Sequence, residues 1–211
     1  MVTPLYFKNM KSKLLYLLFV IPFFIVGCAG QNAKKTATDY LKKQMKDPSS
    51  FKVEDIDIVL DTIPLFLNKH LLSISEEVSK AMDEKERYEN RDSYYWRDEK
   101  ERASRKLSNA ILSLAEEYQN LKKKEQPVQY MVLINCSGNN SYGSTVSSKY
   151  IVIVDKDDTD NVLGVYRLDS DFAKRVVTSY LMTGQGKLKE NEFGKINTEG
   201  MTQVEKFIFA D

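Results

Sequence analysis

From Asn68 to Glu125 the chain contains neither glycine nor proline. Fifty-eight residues without either backbone punctuator, rich in Glu, Lys, Arg, Ala and Leu, have one common solution, which is helix. Charge supports this, because 13 basic and 13 acidic residues fall in the stretch and Glu76–Lys80, Asp98–Arg102 and Glu101–Arg105 are four apart. Leu71, Ile74, Val78 and Met82 mark one apolar stripe, and Ala103, Leu107, Ala110 or Ile111, Leu114, Tyr118 and Leu121 mark a second. A single helix of this length would extend about 85 Å at 1.5 Å per residue and carry the flanking segments far apart. Two helices folded on each other bury both stripes. The spacing therefore predicts a helical hairpin over 68–125, turning near Asn90-Arg91-Asp92-Ser93 with Asp92 or Ser93 as the cap.

On either side the period changes to two. Phe51 and Val53 stand on one phase and Ile56, Ile58 and Leu60 on the other, which predicts a strand with a bulge near Glu54-Asp55. Beyond Pro127, alternation runs through Val128, Tyr130, Val132, Ile134 and Cys136, then Val146 to Val154, then Val162 to Leu168. Ser137-Gly138-Asn139-Asn140 and Asp155-Lys156-Asp157-Asp158 supply the turns, giving an antiparallel meander of about four strands. A helix over Thr38 to Lys46 precedes the first strand and is stopped by Asp47-Pro48. Another over Asp169 to Thr183 follows the last, capped by Asp169 or Ser170, with Phe172, Val176, Val177, Tyr180 and Leu181 inward. Lys206 to Ala210 reads as a short edge strand after a loop over 184–200. The class is α+β: an N-terminal helix, the meander with its inserted hairpin, and a C-terminal helix.

The amino terminus carries a different signal. Leu14 to Val26 is a 13-residue apolar run preceded by Lys8, Lys11 and Lys13. It falls short of the roughly 20 residues that span a bilayer as a helix and has the flanks of a secretory signal. Met10-Lys11-Ser12-Lys13 would itself make a compact start, so Met1 and Met10 both stand as initiators. The run ends in Ile25-Val26-Gly27-Cys28-Ala29-Gly30, which resembles the lipobox of bacterial lipoproteins. That resemblance implies a diacylglyceryl thioether on Cys28 and cleavage of the Gly27–Cys28 bond, where a bulky residue at Gly27 would obstruct the peptidase. Val26 departs from the commoner alanine or serine. The expected division is a signal peptide over 1–27, a lipidated tether over 28–38 and a single α+β domain over 39–211. No acidic run follows Cys28, which favours a periplasm-facing location on the cell or outer membrane.

Processing would remove three of the 31 basic residues and none of the 30 acidic, leaving 28 against 30. That balance offers no electrostatic footprint for nucleic acid. It would also consume Cys28, so Cys136 has no disulfide partner. Cys136 reads as a small buried hydrophobe, because the catalytic alternative would need His70, the chain's one histidine, beside it. A second resemblance involves Leu41-Lys42-Lys43 to Asp47-Pro48-Ser49-Ser50-Phe51 and the later Asn140-Ser141-Tyr142-Gly143 turn. Together they resemble the signature of small secreted α+β domains of uncharacterised, Bacteroidetes-type lipoproteins. The resemblance implies fold and location, and no catalytic residues.

Candidate sites are few. Tyr88, Tyr94, Tyr95 and Trp96 cluster at the expected hairpin turn, as a partner-binding surface or as rings folded back over the stem. Asp155, Asp157, Asp158 and Asp160 are acidic but lack the glycine and closing glutamate of a calcium loop, and so read as a solvated turn. Asp61-Thr62-Ile63 resembles a short O-glycosylation acceptor. No phosphate loop, zinc spacing or nucleophile elbow is present. The expectation is a non-enzymatic, membrane-anchored interaction module without cofactor or metal, bound to the membrane through Cys28 and to an envelope protein through its hairpin. The alternatives are a hydrolase using loop carboxylates and a purely structural envelope protein.

Overall fold

The structure is a computed structural model that describes residues 28–89, 91, 96–182 and 201–209. Its centre is a four-stranded antiparallel sheet in the order β1-β2-β3-β4, formed by Lys52–Thr62, Val128–Asn139, Thr145–Val154 and Val162–Arg167. Each strand pairs with its neighbour in sequence, as expected of a meander. The bulge in β1 lies between Val53 and Asp55. It places Val53, Ile56 and Ile58 opposite Cys136, Ile134 and Val132, so that all six side chains share one face. The phase change in the sequence is thereby explained, because without the extra residue half of the β1 apolar set would point the wrong way.

Both faces of the sheet are covered. On one, Tyr130, Val132, Ile134, Cys136, Val152 and Val154 meet the first described helix, α1, whose described residues are 28–44. On the other, Met131, Leu133, Ile151 and Ile153 meet Phe66 and Leu67, Leu72 of α2, Phe172 and Val176 of α4, and Val204 of α5. The helices α2 (Lys69–Glu89), α3 (Arg97–Lys122), α4 (Ser170–Met182) and α5 (Gln203–Phe209) thus follow β1, α2, β4 and α4 in turn. Successive residues of β2 and β3 are apolar because the central strands are buried on both sides.

The α1 helix corrects the expected tether. Residues 31–38 are helical, and Ala33, Ala37 and Leu41, four apart, are 0%, 0% and 3% exposed. Small side chains gave this stretch the composition of a linker, yet they let a helix approach the sheet closely. The Lys34 ammonium donates to the Ile56 carbonyl at 3.3 Å, fixing α1 over β1. Asp47 then organises the stop, its carboxylate accepting from the Ser49 N–H (3.1 Å) and hydroxyl, which hold its titration below the usual range. Ser50 accepts from the Asn139 N–H at 2.8 Å and ties this turn to the end of β2.

Other differences are local. β2 continues through Asn139, so the first hairpin turn is Asn140 to Ser144, with the Asn140 carboxamide accepting from the N–H groups of Tyr142 and Ser144. Gly143 has φ +78°, a conformation that a side chain would strain. Leu60 and Met82, placed on apolar phases by their spacing, are 48% and 41% exposed. The expected edge strand at 206–210 is helical in its described residues. Phe207-Ile208-Phe209 has the apolar density of a strand, but Thr202 and Glu205 form a reciprocal capping box, with Glu205 N–H to Thr202 Oγ1 at 3.2 Å and Thr202 N–H to the Glu205 carboxylate at 2.7 Å. Asp169 caps α4 as expected, accepting from Phe172 N–H at 2.8 Å. The side chains of Val177, Tyr180 and Leu181, and the loop over 184–200, lie outside the described residues.

The hairpin is an insertion that leaves and re-enters the sheet at one point, closed by Ile63 N–H to the Pro127 carbonyl at 3.1 Å. Its own core comprises Leu71, Val78, Leu114, Tyr118 and Leu121, with Ile74, Leu107, Ala110 and Ile111 partly buried against them. It docks on α4 through the proximal part of α2. Ser79 and Thr178 share a buried hydroxyl–hydroxyl bond of 3.1 Å, and Glu76 pairs with Arg175 at 3.2 Å.

Candidate functional site

The hairpin tip is built where α2 ends and α3 begins. Tyr88 occupies the last turn of α2 and Trp96 the N-cap position of α3, where no side chain caps the helix. Asp98 and Glu99 in the first turn offset the exposed N–H groups and the helix dipole instead. The expected caps Asp92 and Ser93 lie outside the described residues, as do Tyr94 and Tyr95. Tyr88 and Trp96 meet across the hairpin with ring centroids 5.8 Å apart and planes inclined by 31°. The Arg91 guanidinium carbon lies 4.5 Å from the Trp96 centroid and 5.8 Å from that of Tyr88. Both rings are half-buried and Arg91 is exposed. Two of the four aromatics singled out in the sequence therefore do come together. They fold onto each other and onto a cation, leaving a compact aromatic–guanidinium surface.

Behind the tip, Ala81 and Ala103 are both 1% exposed, small enough for the two helices to approach closely. One turn away the Lys106 ammonium meets the Glu84 carboxylate at 2.5 Å, and this contact, with help from Arg102 and Arg87, keeps Glu84 ionised below the usual carboxylate range. A shallow groove of about 940 Å³ runs along this face between Lys80, Glu84, Arg102, Arg105 and Lys106.

A second concavity, of about 620 Å³, was not anticipated from sequence. It lies at the end of the sheet where α4 begins, between Glu54, Asn135, Ser147, Lys149, Arg167 and Asp169. Glu54 reaches it from the β1 bulge and Asn135 from the same side of β2 as Met131 and Leu133. The Asn135 Oδ1 atom is buried and has no hydrogen-bond partner among the described residues. Polar residues scattered over all four strands carry no local motif, so only the register reveals that they converge.

Cys136 is 1% exposed on the α1 side of the sheet, donating weakly to the Ser148 carbonyl at 3.7 Å. Burial, with a smaller contribution from the Glu54 carboxylate, pushes its thiol up to about 11. His70 is exposed at the start of α2, on the opposite side of the sheet, so the two do not form a pair. In the folded protein Cys136 should resist a thiol reagent at pH 8 and react once urea unfolds the chain; rapid reaction in native buffer would contradict its burial. The sign of the linkage is fixed by the raised value. The protonated thiol contributes stability below the unfolded value near 9.0, and that contribution is lost as pH rises from there through about 11.

Asp155 and Asp158 accept from the N–H groups of Asp157 and Asp160, and Asp155 N–H donates to the Asn161 carbonyl, closing an exposed turn. Among the described residues no cluster of His, Cys, Asp and Glu could hold a metal ion. Thr62 is exposed at the end of β1 with its N–H and hydroxyl on Asp61. Cys28 is exposed at the start of the described helix, whereas Gly27 lies outside the described residues. No described helix is long and apolar enough to cross a membrane. No protein-family model matches this chain, and no curated protein and no solved structure matches it either.

Proposed function

We propose that this chain is a lipid-anchored, non-enzymatic interaction module of the bacterial envelope, periplasm-facing, whose helical hairpin contacts a protein partner. The observation that carries the proposal is the hairpin tip. The tip clusters Tyr88, Arg91 and Trp96 beyond the Ser79–Thr178 and Glu76–Arg175 contacts that fix the hairpin to α4. Aromatic and arginine side chains in a compact cluster are the groups that dominate binding energy at protein interfaces. A core requires no such projection, and the hairpin has its own apolar seam to keep it rigid.

The hydrolase alternative would rest on Glu54 and Asp169 in the 620 Å³ cleft. Asp169 is already engaged in capping α4, which favours the interaction reading. The test is a photo-crosslinking residue at position 88 or 96, compared with one at Leu112, which is 60% exposed on α3. The tip positions should capture a specific envelope protein and position 112 should not. With the photo-crosslinking residue moved to the exposed position 91, Tyr88→Ala with Trp96→Ala should abolish that capture while lowering unfolding stability by no more than about 1 kcal/mol, the scale of a half-exposed ring contact. A loss of several kcal/mol, or equal capture from position 112, would remove the tip as a binding surface.

A further inference from the structure

The proposed lipidation site, Cys28, lies within the described part of α1, on helix that is held against the sheet. Ala29 already packs against the sheet core, and a side-chain carbon at Gly30 would lie 3.8 Å from Ile58 Cδ1. Three residues later Ala33 is fully buried. A lipid on Cys28 would therefore be joined to the domain by a helix bound to the sheet, without the slack of a flexible linker.

The chain runs from Gly30 beside Ile58 to Met45 beside Gly138, which sets Cys28 toward the Leu60 end of the sheet. Leu60 shares the face of Ile56 and Ile58, and at about 3.3 Å per residue it stands roughly 7 Å further along β1 than the point where Gly30 sits. On that same face Val128 of β2 pairs opposite Thr62, diagonal to Leu60. Leu60 and Val128 are 48% and 38% exposed, whereas Val132, Ile134 and Cys136 of this face are buried beneath α1; Val146, at the far end of the same face, is 41% exposed but lies away from Gly30. The ladder row through Leu60 continues across Tyr130, Val154 and Val162, all apolar. The polar rim around this end is mixed in sign, with Lys156 and Asp157 paired in the 155–161 turn. At the opposite end of the sheet the Asn140–Ser144 turn carries Tyr142, 92% exposed.

We infer that the sheet end bearing Leu60 and Val128 is a membrane-contacting surface, seated in the acyl-chain margin of the bilayer beside the lipid on Cys28. The occupant is lipid, because the chain reaches its attachment point next to this patch and bulky apolar side chains are left uncovered there. The domain is thereby held in one orientation, with the Asn140–Ser144 turn directed away from the membrane. This inference rests on the lipid-anchor reading and adds the surface and the pose.

The experiment uses the lipidated protein reconstituted in phosphatidylcholine–phosphatidylglycerol vesicles with brominated acyl chains. Trp96→Phe removes the chain's one native tryptophan. Into that background go Leu60→Trp, Val128→Trp or Tyr142→Trp, all at exposed positions that tolerate a larger ring. Fluorescence from positions 60 and 128 should be strongly quenched relative to unbrominated vesicles, and that from position 142 should not. Equal and weak quenching at all three sites, with the acylated protein still floating with the vesicles, would overturn the membrane-facing surface and leave the lipid anchor intact. A protein that carries no acyl mass and does not float would overturn both.

Discussion

Replacing Leu114 by alanine should lower unfolding stability by about 2–5 kcal/mol, the range for a buried leucine whose cavity cannot fully collapse. Leu114 is fully buried midway along α3, in a seam with Leu71 and Val78 of α2 and Tyr118 and Leu121 of its own helix. Collapse is restricted there because α2 is held on its other side by Leu72 in the sheet core and by the Ser79–Thr178 bond to α4. Against a typical total of about 5–15 kcal/mol, such a loss is a large fraction. Urea titration should show the midpoint falling with an unchanged slope. Leu112→Ala, two residues away and 60% exposed, should stay within about 0.5 kcal/mol of the parent. Equal effects at the two positions would mean that α3 is not seated with Leu114 against α2.

Cys28→Ala should abolish lipid attachment. Buried acyl chains contribute about 0.8 kcal/mol per methylene, so even ten methylenes are worth about 8 kcal/mol, close to a million-fold in partition. Labelling growing cells with an alkyne fatty acid should mark the parent protein and leave the variant unmarked. The lipobox resemblance implies that the variant should also retain the residues before position 28, since in such proteins cleavage follows lipidation of the cysteine. Cys136 provides the internal control, since a thiol that is 1% exposed and raised to about 11 is no substitute acceptor. Label persisting in Cys28→Ala would place the lipid elsewhere and remove the basis for the membrane-facing pose.

The architecture was legible where a long-range consequence had a local cause. Absence of Gly and Pro forced the hairpin, and its apolar stripes at spacing three and four identified Leu71, Val78, Leu114, Tyr118 and Leu121 as its seam. The change of phase around Glu54 announced the bulge that keeps Val53 and Ile56 on one face. Composition misled where size mattered more than hydropathy. Ala33 and Ala37 look like linker residues and are fully buried, because only a small side chain fits between a helix and a sheet at close approach. Phe207-Ile208-Phe209 has the apolar density of a strand, although Thr202 and Glu205, five and two residues before Phe207, already spell a helix start. The cleft of Glu54, Asn135 and Asp169 stayed hidden because residues from β1, β2 and the β4–α4 junction become neighbours only through strand register.

The most direct test of the central claim is the intact mass of the native protein extracted from membranes. The lipid-anchor reading predicts a chain of 184 residues, Cys28 to Asp211, carrying a diacylglyceryl group, with no unacylated form in the membrane fraction. An unmodified chain that still carries the residues before Cys28 would contradict it.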